Sequence, residues 1–214
     1  MLTALILDFD GLILDTETPL LDSWECVHSD HGLIYDRKKG HNIIGHSDVF
    51  YDPWEAFPAD VDRAKLEADF GRIKTEIVRR MPILPGIIDL LDNADRLSLK
   101  LGIASNSDHN HVEGHLQRLG LMDRFTTITC RDDVVNPKPA PDVYQLACSQ
   151  LGIEASTAIA FEDSVPGHVA AHRAGLPVVV VPNPSTRQYE FEHAHQRLHS
   201  MAEFNLEAFA SAAN

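Results

Sequence analysis

Cysteine is scarce in this chain. Its 214 residues hold three, Cys26, Cys130 and Cys148, odd in number, far apart and without a Cys-x-x-Cys spacing. That excludes a disulfide framework and a thiolate zinc cluster, and it points to structural thiols in a reducing compartment. Long hydrophobic runs are missing too. Nothing approaches the roughly 18 apolar residues of a membrane span, and Asp8 interrupts the first apolar run, so no signal peptide is read there. Positive charge is in short supply: 18 Lys and Arg against 32 Asp and Glu leave a formal net charge of −14. This argues against nucleic acid or an anionic membrane as the main partner, since both attract basic surfaces. Internal repeats and low-complexity tracts are lacking as well. The expectation is a cytoplasmic monomer that acts on a small molecule.

What is present suits one core domain with a modest insertion, and a length ample for a sizeable core. The stretch Ala4-Leu5-Ile6-Leu7-Asp8-Phe9-Asp10-Gly11 organises the rest. Four apolar residues, too few for a helix, read as a buried parallel strand. Two aspartates follow at its C-terminal end, where open α/β sheets place their ligands. Thr18-Pro19 then predicts a helix start, and Leu20, Leu21, Trp24, Val27 and His31 recur at helical spacing. A short polar helix is expected over 36–44, and a longer one from Asp60 with Leu66, Phe70, Ile73, Ile77 and Met81 on one face. Residues 16–82 carry no strand signal and read as an inserted all-helical cap.

From Pro85 the pattern alternates. Strands are predicted at 99–105, 125–130, 158–161 and 178–181, with helices between them, and a polar helical tail over 185–199. Such alternation means βαβ units. The fold class is therefore α/β, a Rossmann-like parallel sheet core formed by residues 1–15 and 83–214, with the helical cap at 16–82.

Four polar groups fall at or beyond predicted strand ends: Asp8 with Asp10, Ser105 with Asn106, Lys138, and Glu162 with Asp163. A parallel sheet brings all of them to one edge. Two acidic pairs there repel unless a cation lies between them. Carboxylates without His or Cys nearby in sequence suit a hard, oxygen-preferring ion, Mg2+ best. Ser105 offers a hydroxyl, Asn106 opens a helix start with free N–H groups, and Lys138 is a point charge flanked by two prolines. The set describes a phosphoryl-transfer site.

These residues carry a resemblance. The motifs Asp8-Phe9-Asp10-Gly11-Leu12-Ile13-Leu14-Asp15-Thr16, Ile103-Ala104-Ser105-Asn106-Ser107, Lys138-Pro139-Ala140-Pro141-Asp142 and Phe161-Glu162-Asp163-Ser164 stand in the order of a haloacid dehalogenase-superfamily phosphohydrolase. The chain is similar to the β-phosphoglucomutase-like branch, whose helical cap lies between the first two motifs. The resemblance implies Asp8 as nucleophile through an aspartyl-phosphate and Asp10 as general acid, then base. It implies Mg2+ held by the Asp8 side chain, the Asp10 carbonyl and Asp163, with Glu162 direct or through water. Ser105, Asn106 and Lys138 would hold the phosphoryl group, with His46 and Trp54 of the cap at the substrate, a small phosphorylated metabolite.

Rival readings stay open. A dehalogenase has no need of an acid at position 10. A phosphonatase needs a lysine in an apolar cap setting, which none of Lys38, Lys39, Lys65 and Lys74 has. A non-catalytic phosphate or metal sensor would not need all four motifs. A mutase shares the core, but the β-phosphoglucomutase pattern has a histidine where this chain has Leu20, and an arginine where Asp48 follows Gly45-His46-Ser47. His111 and His115, at i and i+4, do not form the zinc-protease motif and read as structural.

Overall fold

In the computed structural model, which describes residues 1–41 and 51–212, the chain enters through β1 (Ala4–Leu7) and then runs through three helices, α1 (Glu17–Asp30), α2 (Arg37–His41) and α3 (Arg63–Arg80). It returns through α4 (Ile87–Arg96), β2 (Lys100–Ala104), α5 (His109–Leu119), β3 (Thr127–Thr129) and α6 (Asp142–Leu151). It closes with β4 (Ala158–Glu162), α7 (Val165–Arg173), β5 (Val178–Val180), β6 (Gln196–Arg197) and α8 (Leu206–Ala212). Two compact units result, Met1–Leu14 with Ile83–Asn214, and Asp15–Pro82.

The first unit is built on one six-stranded sheet, ordered β3-β2-β1-β4-β5-β6. Every pairing is parallel. β1 is central and fully buried, with Leu5 opposite Leu101 on one side and Ile159 on the other. That is why its sequence is apolar throughout rather than alternating. Strand order reverses at β1, so the crevice beyond its C-terminal end is the place for a ligand. Tyr144, Val143 and Ala147 of α6 and Ala170 and Ala171 of α7 pack with Ala4, Ile6 and Ala160 in a core below that crevice.

In the second unit, α1 and α3 pack around Leu21, Trp24, Val27, Tyr35, Trp54, Phe57 and Leu66. Phe70 of α3 stacks on Trp24 of α1, ring centroids 5.6 Å apart. No strand occurs among its described residues.

Three local expectations are corrected. Helix α1 starts at Glu17, two residues early, because the Asp15 carboxylate accepts the Thr18 N–H at 2.9 Å and turns the chain before Thr18. Helix α3 starts after Asp62, whose side chain accepts the Lys65 N–H, rather than at Asp60. The polar tail is not helical. After turns, it adds β6 at the sheet edge, with His195 N–H donating to the Val178 carbonyl at 2.8 Å and Leu198 N–H to that of Val180 at 2.9 Å. Phe191 and Leu198 anchor it. A two-residue strand leaves no periodicity to read. Of the short polar helix expected over 36–44, α2 covers Arg37–His41; the rest lies outside the described residues.

Candidate active site

Asp8 leaves β1 still paired, its N–H donating to the Phe161 carbonyl at 2.9 Å. The chain then turns tightly, with Ile13 N–H on the Phe9 carbonyl and Gly11 N–H on that of Leu14. Gly11 is demanded twice. Its φ is +75°, and a Cβ would lie 2.2 Å from Asp163 Oδ2 and 2.6 Å from Asn183 Nδ2.

The buried centre is a charge cluster. Lys138 Nζ donates to Asp8 Oδ1 at 2.7 Å and to Glu162 Oε1 at 2.6 Å. The same Glu162 oxygen accepts the Tyr144 hydroxyl at 2.6 Å, and Oε2 accepts Ser164 Oγ at 3.1 Å. Gly167 makes room for this carboxylate, since a Cβ there would meet it at 2.0 Å. Asp163 is held differently: Asn183 Nδ2 donates to its Oδ2 at 2.7 Å, while Asn183 Oδ1 accepts the N–H groups of Ser185 and Thr186.

Asp8, Glu162 and Asp163 are all buried, and each offers a carboxylate oxygen within 4.8 Å of the others. One ammonium, Lys138, reaches two of these three negative charges. Burial pushes the Asp8 carboxyl up to about 7, with Glu162 acting in the same direction and Lys138 against it. A divalent cation among the three carboxylates would act the other way, and an all-oxygen donor set of buried carboxylates fits a hard ion.

The expected residues are placed as follows. Ser105 follows β2, buried, its N–H on the Thr129 carbonyl at 3.0 Å and its Oγ accepting the Ser107 N–H at 3.0 Å. Asn106, whose backbone N–H is the group expected at the phosphoryl oxygens, uses its side chain on Lys138. Oδ1 accepts the Lys138 N–H at 2.8 Å and Nδ2 donates to the Lys138 carbonyl at 3.2 Å, so it fixes the lysine's backbone. The Asp10 side chain turns to α5, taking Ser107 Oγ on Oδ2 at 2.6 Å and His111 Nε2 on Oδ1 at 2.8 Å. Trp54, expected at the substrate, sits instead in the core of the second unit, 5% exposed, its ring against His28, Phe57 and Phe70. A large apolar ring in an irregular segment is as well suited to packing as to binding, and here it packs. His46 lies outside the described residues.

Tyr144, Asn183, Ser107 and His111 were not read as part of the site. Tyr144 and Asn183 reach it through tertiary contacts with no local motif. His111 had a signal: it is the third residue of a helix that begins beside Ser105, and helical side chains point back toward the N-terminus, here toward the sheet edge.

Comparisons with known proteins agree with this geometry. A family model described as haloacid dehalogenase-like hydrolase matches residues 5–181. The "Putative phosphatase YhcW" of Bacillus subtilis (strain 168) is 40% identical over 210 residues, spanning 96% of this chain and 95% of that protein. The "Probable pseudouridine-5'-phosphatase" of Drosophila melanogaster is 30% identical over 218 residues, spanning 97% and 93%. Among solved structures, CbbY from Rhodobacter sphaeroides in complex with phosphate superposes with a TM-score of 0.75 at 28% identity, covering 95% of this chain and 96% of that one.

Proposed function

The chain belongs to the haloacid dehalogenase-like hydrolase family, and on that premise we propose that it is a Mg2+-dependent phosphatase that hydrolyses a small phosphomonoester through an aspartyl-phosphate. The observation that carries this is the placement of two carboxylates with opposite surroundings on one turn. Asp8 is buried against Lys138, whereas Asp10 is a quarter exposed and hydrogen-bonded to Ser107 and His111.

Asp8 Oδ attacks phosphorus, and the bond from phosphorus to the ester oxygen breaks. Asp10 gives its proton to the departing alkoxide. Asp10, now a base, takes a proton from water, whose oxygen attacks the same phosphorus and frees inorganic phosphate and the Asp8 carboxylate. Ser105 Oγ and Lys138 Nζ hold the phosphoryl oxygens. Asp8, Asp163 and the Asp10 carbonyl would hold Mg2+, with Glu162 beside them, and the ion would offset the negative charge of the phosphoryl group. The relatives' names and the phosphate complex support small phosphate esters as the substrate class.

The mutase alternative shares this core. Against it stands Leu20, whose side chain can make no hydrogen bond; Asp48, in place of the arginine of that pattern, lies outside the described residues. Purified protein is to be screened on phosphate esters with and without Mg2+, with β-glucose 1-phosphate included. Release of inorganic phosphate that stops in EDTA is expected. Glucose 6-phosphate formed from β-glucose 1-phosphate faster than phosphate is released would overturn the hydrolytic reading.

A further inference from the structure

His111 belongs to none of the sequence motifs of the site, yet its ring reaches Asp10. We infer that His111 is the positioning residue of the general acid: its Nε2–H holds the Asp10 carboxyl in the orientation that faces the leaving group. The inference rests on the phosphatase reading and adds the group that aims its acid.

Two donors from one segment fix Asp10. Ser107 Oγ lies 2.6 Å from Oδ2 and His111 Nε2 lies 2.8 Å from Oδ1. A hydrogen bond on each oxygen restrains rotation of the carboxyl about its bond to the chain. His111 is itself restrained. Asp108 caps α5 by accepting the His111 N–H at 2.8 Å. The imidazole meets Phe9 edge-on with centroids 6.0 Å apart, and His115 edge-on at 4.8 Å. Phe9 lies between Asp8 and Asp10 in the chain. The ring that packs on the catalytic turn therefore also donates to its acid.

This arrangement is contained within Met1–Leu14 and Ile83–Asn214, the unit that carries Asp10 itself.

General-acid help matters only when the leaving group is basic. An alkyl phosphate expels an alkoxide that must be protonated, whereas p-nitrophenyl phosphate expels a stable phenolate. The ratio of kcat/KM on the two esters isolates Asp10's proton transfer, because kcat/KM reports only steps up to the first irreversible one. Two variants separate donor from packing. His111→Phe keeps a ring against Phe9 and His115 and loses the donor; His111→Gln keeps an N–H donor and loses the ring. His111→Phe is expected to lower kcat/KM on glycerol phosphate about 10–100-fold and on p-nitrophenyl phosphate less than about 3-fold, with Asp10→Asn showing the same bias more strongly. His111→Gln should recover most of the loss. Equal losses on both esters, or an active Phe variant beside an impaired Gln variant, would show a packing role and overturn the inference alone. A wild-type protein inactive on both esters would overturn the phosphatase reading and this inference with it.

Discussion

Lys138 Nζ lies 2.7 Å from Asp8 Oδ1, and both groups are buried. Burial alone pulls the lysine amine down, but Asp8 and Glu162 outweigh it and hold its pKa above the ordinary lysine range. The ammonium is thus a permanent charge. It ties the loop after β3 to the end of β1 and to the end of β4 through Glu162.

Replacing it should be costly in two ways. Lys138→Met leaves two buried carboxylates without their cation, a loss of about 3–5 kcal/mol of stability. Activity should fall by about 100-fold or more, as when a preorganised charge on the transition state is removed. Urea unfolding at pH 7 and kcat on p-nitrophenyl phosphate measure the two effects. A variant as stable as wild type would show that the pair is not an integral part of the fold.

The Asp8 carboxyl makes metal-free stability depend on pH. Its folded pKa is pushed up to about 7 by burial first and Glu162 second, against an ordinary 3.8. Between those values the folded chain keeps a proton that the unfolded chain has lost, so stability falls as pH rises through that window. Above it, the penalty is fully present. In EDTA at pH 8, Asp8→Asn should therefore melt above wild type, by about 2–4 °C for each kcal/mol relieved, and the gap should narrow at pH 5. Mg2+ at about a hundred times its Kd should raise the wild-type melting temperature by about 5–10 °C and leave Asp8→Asn nearly unmoved. Asp8→Asn should also be inactive. A gap that widens toward pH 5 would contradict this account.

Asn183 restrains one oxygen of Asp163 from 20 residues away in the chain. Groups that orient a metal-binding carboxylate are typically worth 10–100-fold in affinity. Asn183→Ala should weaken Mg2+ binding by about that factor in calorimetry on the resting protein. Unchanged affinity would limit Asn183 to its turn with Ser185 and Thr186.

Trp54 should behave as a core residue. Trp54→Ala is expected to cost about 3–5 kcal/mol and to lower activity on every ester in proportion to the folded fraction. A change confined to one substrate would return Trp54 to the substrate site.

Much of the site is legible in the sequence because its signals are local. An apolar run ending in Asp8 and Asp10, another ending in Ser105, a third ending in Glu162 and Asp163, and Lys138 set between prolines each mark a strand end or an approach to one. Parallel pairing alone then gathers strand ends at one edge. The periodicities that announce β1, α3 and β5 are equally local, since each buries a face against a core. What the sequence left undecided is what side chains do once gathered. Trp54 has the right chemistry for a ligand, yet it meets its own hydrophobic core, and the Asn106 side chain braces the Lys138 backbone. The tail over 185–199 has the composition of a surface helix, but β5 offered it an open edge, and backbone hydrogen bonds carry no side-chain pattern to read. Tyr144 and Asn183 entered the site in the same way, through tertiary contacts with no local motif. The sequence by itself determined which strand ends carry charge. Tertiary structure decided which donor each carboxylate meets, because a hydrogen bond acts over about 3 Å and only folding brings residues distant in the chain that close.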